Sequence, residues 1–200
     1  MNNQFLNFYN KKIVLASRSP RRRDIFKMIG LNFEISPSNY QEDQTPNKTP
    51  EELAKFHSLL KSKEVAARYN DAWIIGADTI VVLGKKILEK PQDRSEAKRM
   101  LKKLSDQTHK VMTGYTIMNS NNNKYLLSSE TTQVLFQKLS EKMIEHYLDN
   151  YHYNDKAGSY AIQDFSALFV KNINGCFYNV VGFPVSAFCQ LVQNNLASCL

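Results

Sequence analysis

Apolar and polar positions along this chain fall into blocks that switch repeatedly between strand-like and helix-like spacing. After an Asn-rich leader, Ile13-Val14-Leu15-Ala16 is an unbroken apolar run, the pattern of a strand buried on both faces. Ser17 and Ser19 follow as turn or N-cap residues and Pro20 as a first-turn residue. From Arg21 a helix begins, with Ile25, Phe26 and Ile29 at helical spacing and Gly30 as its C-terminal cap. Leu31 to Ser36 reads as a short strand, and Asn39 to Pro50 as an exposed, irregular loop able to close over a site. Thr49-Pro50-Glu51-Glu52 is a helix-start signal, with a long helix from Leu53 to Arg68. A second buried strand runs from Trp73 to Val82, Gly84-Lys85 makes a hairpin tip, and Lys86 to Leu88 is the return strand. Ser95 is expected to cap a helix that turns Ala97, Met100, Leu101 and Leu104 inward. Two strands, His109 to Met118 and Tyr125 to Leu135, flank the turn-forming Asn119 to Asn123, and Ser140 caps a helix to Leu148. Leu168 to Val170 and Phe177 to Val181 are expected to pair as strands around Asn174-Gly175, before a final helix from Pro184 to Leu191. The alternation predicts an α/β fold with a mixed twisted sheet and flanking helices, organised as a leader over residues 1–11 and a single domain over 12–200.

Bulk composition narrows the classes. The 200 residues are enough for one full core or two small lobes sharing a cleft. With 42 % hydrophobic and 22 % charged residues, and no apolar run near the roughly 20 residues that a bilayer requires, the membrane and disordered classes are set aside. Met1 to Lys12 lacks the apolar stretch of a secretory signal, so a cytoplasmic location is expected. Cys176, Cys189 and Cys199 have no paired spacing, which argues for buried or inert thiols over a zinc site or disulfides. A net charge of +7, from 26 basic and 19 acidic residues, suits an anionic partner. The lysines are scattered through helical stretches such as Lys98 to Lys103, which reads as solvated faces and argues against a nucleic-acid surface.

Four stretches carry candidate chemistry. Arg21, Arg22 and Arg23 stand at a helix start, where backbone N–H groups already favour anions, and make a seat for phosphate; the alternative is a solvated helix face. Asp78 lies within an apolar strand, where a carboxylate is costly unless paired, bound to metal or used as a base; the structural alternative is a strand-end acceptor of backbone hydrogen bonds. Antiparallel return from the hairpin carries Glu89-Lys90-Pro91 back towards Ala77 to Thr79, where Lys90 could neutralise phosphate and Glu89 could share a divalent cation with Asp78. The segment Lys156 to Asp164 has small residues that let backbone approach a ligand, then Gln163, an amide suited to the carbonyl or N–H edge of a base. No Gly-rich phosphate loop, dinucleotide fingerprint or metal-spaced histidine pair is present.

Ser17-x-Ser19-Pro20-Arg21-Arg22, Gly76-Ala77-Asp78-Thr79, Glu89-Lys90-Pro91, His109-x-Val111-x-Thr113 and Asp155-Lys156-Ala157-Gly158-x-Tyr160-x-Ile162-Gln163 occur together in one order. In that order and spacing the chain resembles the Maf family of nucleotide pyrophosphatases, over roughly Lys12 to Gln190. The resemblance implies two lobes around a deep cleft, similar to the inosine-triphosphate pyrophosphatases, and a homodimer in many members. It also implies hydrolysis of a nucleoside triphosphate to the monophosphate and pyrophosphate with a divalent cation, Mg or Mn. The Ala-Asp-Thr and Tyr-x-Ile-Gln versions resemble the branch acting on dTTP and UTP rather than the one acting on 7-methyl-GTP. There, the residues matching Arg21, Thr79 and Gln163 are tied to substrate choice, and the one matching Asp78 is the proton acceptor. One departure stands out: a gap-free match puts Gln41 where the family has a functional acid, and a one-residue shift gives the place to Glu42, with Asp43 beyond it.

These readings combine into water attack on the α-phosphorus of a pyrimidine nucleoside triphosphate, with Asp78 positioning or deprotonating the water and pyrophosphate leaving. Glu42, Asp78 and Glu89 would hold the cation; Ser17, Ser19, Arg22, Lys61 and Lys90, with Arg21, would engage the phosphates. The competing class is a non-catalytic nucleotide- or nucleic-acid-binding regulator of cell division, which has no need of a carboxylate in an apolar strand.

Overall fold

In the computed structural model, described for residue 6, residues 8–42 and residues 47–200, the sequence pattern resolves into a mixed seven-stranded sheet with flanking helices. In chain order the elements are β1 (Lys12–Leu15), α1 (Pro20–Met28), β2 (Glu34–Ile35), α2 (Pro50–Ala66), β3 (Ala72–Leu83), β4 (Lys86–Leu88), α3 (Arg94–Leu104), β5 (Thr108–Asn119), β6 (Tyr125–Phe136), α4 (Glu141–Asn150), β7 (Val170–Asn174), α5 (Phe177–Val181) and α6 (Val185–Asn195). The strand order is β2-β1-β3-β5-β6-β7, with β4 paired to β3. β1 is parallel to both β2 and β3, whereas β3–β4 and β6–β7 are antiparallel. No described helix is long and apolar enough to cross a membrane, and all three cysteines are free thiols.

The chain divides into two compact units, one of residues 1–78, 113–130 and 182–200 and one of residues 79–112 and 131–181. In the first unit, one side of the sheet is covered by α2. Val14, Ala16, Ile74 and Met118 pack there on Val65 and Ala66. A separate aromatic cluster joins Phe26, Tyr115, Phe183 and Phe188, with Phe26 and Phe183 ring centroids 4.9 Å apart. The leader is tied into this unit: Leu6 and Phe8 are buried, and the Trp73 indole donates to the Phe8 carbonyl at 2.9 Å.

Two glycines decide how closely α2 can sit. A Cβ at Gly76 would lie 2.3 Å from Ser62 Oγ and 2.5 Å from the Ser58 carbonyl, and one at Gly114 would lie 2.3 Å from the Ala54 carbonyl. Only hydrogen fits at these points, so α2 lies directly on the backbones of β3 and β5. The helix is launched by a capping box in which Thr49 Oγ1 accepts from the Glu52 N–H and Glu52 Oε2 accepts from the Thr49 N–H.

In the second unit, α3 and α4 pack on a core containing Val81, Leu101, Val111, Phe136, Tyr147 and Phe169. The helix from 94 turns Ala97, Met100, Leu101 and Leu104 inward as the spacing predicts, but its cap is Asp93 and not Ser95: the Asp93 carboxylate reaches the Glu96 N–H at 2.7 Å. Lys102 and Lys103 are exposed, as the solvated-face reading expects, and part of the basic face is also paired. Arg94 bridges to Glu145 at 2.7 Å, while Lys98 and Lys102 reach Glu141 at 2.5 and 2.8 Å, so the basic face of α3 is neutralised by the acidic face of α4.

Near the C-terminus the expected pair of strands is corrected. Val170–Asn174 does pair, but with β6, and residues 177–181 are helical. Gly175, at φ 128, leads out of β7 with its α-carbon against Thr132, whose hydroxyl then holds both ends of Cys176: it accepts from the N–H at 3.0 Å and donates to the carbonyl at 3.1 Å. Asn179 is drawn in to the same hydroxyl and to the Val111 carbonyl, each at 3.0 Å, which requires the compact rise of a helix. The expected strand at 31–36 shortens to Glu34–Ile35.

Gly76→Ala and Gly114→Ala are each expected to cost about 1–3 kcal/mol through overpacking, read as a lower urea midpoint with an unchanged slope. An unmoved midpoint in both variants would contradict the close seating of α2.

Candidate active site

β3 is the origin of the site in the first unit. Side chains alternate along a strand, so Ile74, Gly76 and Asp78 share a face. The helix that contacts Gly76 through Ser58 and Ser62 presents Lys61 one position away, and Lys61 Nζ meets Asp78 Oδ1 at 2.7 Å. Asp78 is only 6 % exposed, so the ammonium supplies the counter-charge that a buried carboxylate requires. The same Nζ contacts Glu42 Oε1 at 2.6 Å. One cation therefore spans two carboxylates.

Glu42 is brought there by the segment before it, which is laced to α2. Arg68 donates to the Pro37 carbonyl at 3.1 Å, the Asn39 N–H donates to Glu64 at 3.1 Å, and the Tyr40 hydroxyl meets His57 Nδ1 at 3.0 Å. Of the two residues considered for the acid position, Glu42 meets Lys61 and the Gln41 amide donates to the Asn39 carbonyl at 3.4 Å. Asp43 lies outside the described residues.

The three arginines of α1 separate. Ser19 caps the helix by accepting from the Arg22 N–H, with Pro20 in its first turn. Arg22 is buried; its Nε donates to the Gly182 carbonyl at 2.8 Å and one terminal nitrogen to Ser17 Oγ at 3.2 Å. Burial pulls its pKa below the usual arginine value, opposed by the nearby charges of Asp78 and Glu42. Arg22 is thus an anchored cation in the same electrostatic neighbourhood as the two carboxylates. Arg21 is half-buried, and Arg23, which lies beyond the Ser17 to Arg22 motif, is exposed beside Asp24.

In the second unit, the β3–β4 ladder runs from Leu83↔Lys86 to Val81↔Leu88 and ends there. Glu89 and Lys90 are exposed, and the Glu89 carbonyl accepts from the Gly158 N–H at 3.1 Å. The small residues after Lys156 serve packing: Gly158, at φ 68, puts its α-carbon against Val81, where a Cβ would be 3.1 Å away, and the Ser159 hydroxyl donates to Met100 Sδ. Lys156, a cation the sequence did not single out, is buried and paired with Asp155 at 3.2 Å. Thr79 is half-buried and Gln163 exposed. His109 Nε2 pairs with the Tyr160 hydroxyl at 2.7 Å, edge-on to Phe136, and Nδ1 has no hydrogen-bond partner.

No group of three or more His, Cys, Asp or Glu side chains among the described residues is arranged to hold a metal ion. The carboxylates that converge are Glu42 and Asp78. Two hard oxygen donors on one point suit a magnesium- or manganese-type cation, which ordinarily takes one or two carboxylates and completes its shell from water and substrate phosphates.

The family model of Maf-like proteins matches residues 12–195. The chain belongs to the Maf family. It is 44 % identical to a dTTP/UTP pyrophosphatase of Pyrococcus furiosus over 92 % of this chain and 95 % of that protein. Proteins of the same name from Pelotomaculum thermopropionicum and Thermotoga maritima are 40 % and 42 % identical, over 92 % and 90 % of this chain and 96 % and 87 % of theirs. A nucleoside-triphosphatase / dITP/XTP pyrophosphatase structure from Mycobacterium abscessus gives a TM-score of 0.43 at 11 % identity, over 64 % of this chain and 75 % of its own, a likeness too slight to bear on function.

Burial holds His109 neutral, with its pKa pushed down to about 4. The unfolded chain takes up that proton near pH 6.5. Between these values the unfolded state holds more protons, so stability is full above the upper value and drains as pH falls to the lower. A loss of roughly 3 kcal/mol between pH 6.5 and 4 is expected from this residue, and His109→Gln should flatten the profile of unfolding free energy against pH over that window. Parallel profiles for the two proteins would rule the assignment out.

Proposed function

We propose that this protein hydrolyses pyrimidine nucleoside triphosphates, dTTP and UTP, to the monophosphate and pyrophosphate. The observation that carries the reading is the buried Asp78 carboxylate, paired with Lys61 beside Glu42 and within the field of Arg22. Such a carboxylate is a poor investment for packing and a good one for proton transfer. The relatives named above, at 40 to 44 % identity over nine-tenths of the chain, support the substrate class.

Water attacks the α-phosphorus, the bond from that phosphorus to the bridging oxygen of the β-phosphate breaks, and pyrophosphate leaves with the electron pair. Asp78 takes the water's proton; Lys61 engages Oδ1, so Oδ2 is the oxygen left to receive it. Arg22 is held by Ser17 and Gly182 and so offers a fixed positive field that need not reorganise as charge develops. Glu42 and Asp78 are the residues that would hold a divalent cation, which when bound supplies Lewis acidity towards the phosphoryl oxygens. Family resemblance assigns Arg21, Thr79 and Gln163 to the choice of nucleotide, and the hydroxyls and charge of Ser17, Ser19 and Lys90 suit them to the phosphates. The same resemblance gives a homodimer, measurable by light scattering, and the free thiols fit a cytoplasmic location.

Pyrophosphate release from dTTP and UTP with magnesium or manganese tests the reading directly. Asp78→Asn is expected to lower turnover by about two to four orders of magnitude with the fold intact, seen as a native circular dichroism spectrum. Near-normal hydrolysis by that variant would overturn the role of Asp78. Absence of release from the unaltered protein, together with tight, salt-sensitive DNA binding, would favour the binding regulator instead. Gln163→Ala is expected to narrow the preference for dTTP over other nucleoside triphosphates, seen as a change in kcat/KM ratios across a nucleotide panel.

A further inference from the structure

Four charges gather at the end of β3 in the first unit. Glu42 and Asp78 contribute two negatives, Lys61 and Arg22 two positives, so the formal sum over these four is zero, with the Arg21 charge acting on Arg22 besides. Lys61 Nζ lies 2.6 and 2.7 Å from one oxygen of each carboxylate, the place where two oxygen donors would converge on a cation. The Lys61 side chain is only 13 % exposed and that of Asp78 9 %, while Glu42 is 41 % exposed, so the ammonium is enclosed on the Asp78 side and is screened weakly by salt there. Arg22 cannot step aside, because Gly182 and Ser17 fix its guanidinium.

A divalent cation arriving alone would meet a cluster already neutral and would have to displace an ammonium from both carboxylates. With the ammonium still close by, it would leave two surplus positive charges in a partly buried place. A nucleotide changes that balance, because its polyphosphate brings several negative charges and offers Lys61 an alternative set of oxygen acceptors. We propose that Lys61 is a resident counter-cation that keeps the Glu42–Asp78 pair closed to divalent cations until a nucleotide's phosphates draw the ammonium away. Cation and nucleotide then bind with positive coupling, each raising the affinity for the other by the same factor. Lys61 thus has two successive partners, the carboxylates in the free protein and the phosphates in the complex. This inference rests on the nucleotide-hydrolysing reading for its second half, whereas the antagonism between Lys61 and a cation concerns the free protein alone.

The test is manganese binding by the nucleotide-free protein, followed by the loss of the free-ion electron paramagnetic resonance signal. Like charges a few ångströms apart repel strongly even in water, so Lys61→Met is expected to bind manganese about tenfold or more tightly than the unaltered protein. Methionine keeps an apolar stem in the enclosed position while removing the charge. Lys61→Arg, which keeps the charge, should stay within about threefold of the unaltered protein. An unchanged or weakened affinity in Lys61→Met, with a native circular dichroism spectrum, overturns the proposal; if that variant does not fold, Lys61→Gln takes its place. The unaltered protein decides independently of either: micromolar manganese binding without nucleotide would overturn the antagonism outright. Pyrophosphate release by the unaltered protein separates the two readings: its turnover without a gain of manganese affinity in Lys61→Met removes only this inference, and a gain in that variant with no turnover by the unaltered protein removes only the proposed activity.

Discussion

The first unit is organised around the contact of one ammonium with two carboxylates, and much of its architecture serves to bring those three groups together. Asp78 stands on a strand, Lys61 on a helix and Glu42 in an irregular segment. The helix reaches the strand because Gly76 and Gly114 leave no side chain between them. The irregular segment reaches the helix because Tyr40, Asn39 and Pro37 are tied to His57, Glu64 and Arg68. Helix α2 is therefore the ruler from which both acids are measured, and its capping box fixes where that ruler begins. A buried carboxylate without such a counter-charge would be expelled or protonated.

The second unit rests on a different economy. Its two outer helices are joined by a ladder of opposite charges between Arg94, Lys98 and Lys102 on one and Glu141 and Glu145 on the other. Exposed pairs of this kind contribute little singly, but the network sets which face of α3 meets which face of α4. It also offsets the charges of Arg94, Lys98 and Lys102 within the second unit, so these cations are set apart from the Lys61 and Arg22 charges of the first. Below the ladder, the segment 156–160 is fastened by its backbone: Gly158 donates to the Glu89 carbonyl and lies against Val81.

Strand and helix positions were legible in the sequence wherever hydrophobic period and end signals agreed, as with the Thr49-Pro50 start, the apolar run through Asp78 and the Gly84-Lys85 reversal. They were not legible at residues 177–181, where Phe-Tyr-Asn-Val-Val has the composition of a strand and the helix is favoured by hydrogen bonds that the Asn179 amide donates to Thr132 and Val111, far away in the chain. In the site, Asp78 announced itself by its cost in an apolar strand, and the separation of Arg22 from Arg23 followed from the motif's edge. The place of Glu42 against Gln41 was open in the sequence, because an irregular segment has no period to fix its register. The bridging position of Lys61 had a faint signal that only the packing explains: it lies among serines on a helix otherwise rich in larger residues, and serines there mark a close approach.

The tie between Arg22 and Gly182 joins residues 160 positions apart. During synthesis the arginine leaves the ribosome long before its acceptor exists, so for most of translation the N-terminal strand and helix carry a guanidinium that cannot yet be enclosed. The aromatic cluster of Phe26, Phe183 and Phe188 waits on the same late segment. The first unit is consequently among the last parts of the molecule to become complete during synthesis. A chain cut short before Gly182 keeps every acidic and basic residue of the site and still lacks the carbonyl that holds Arg22 in place.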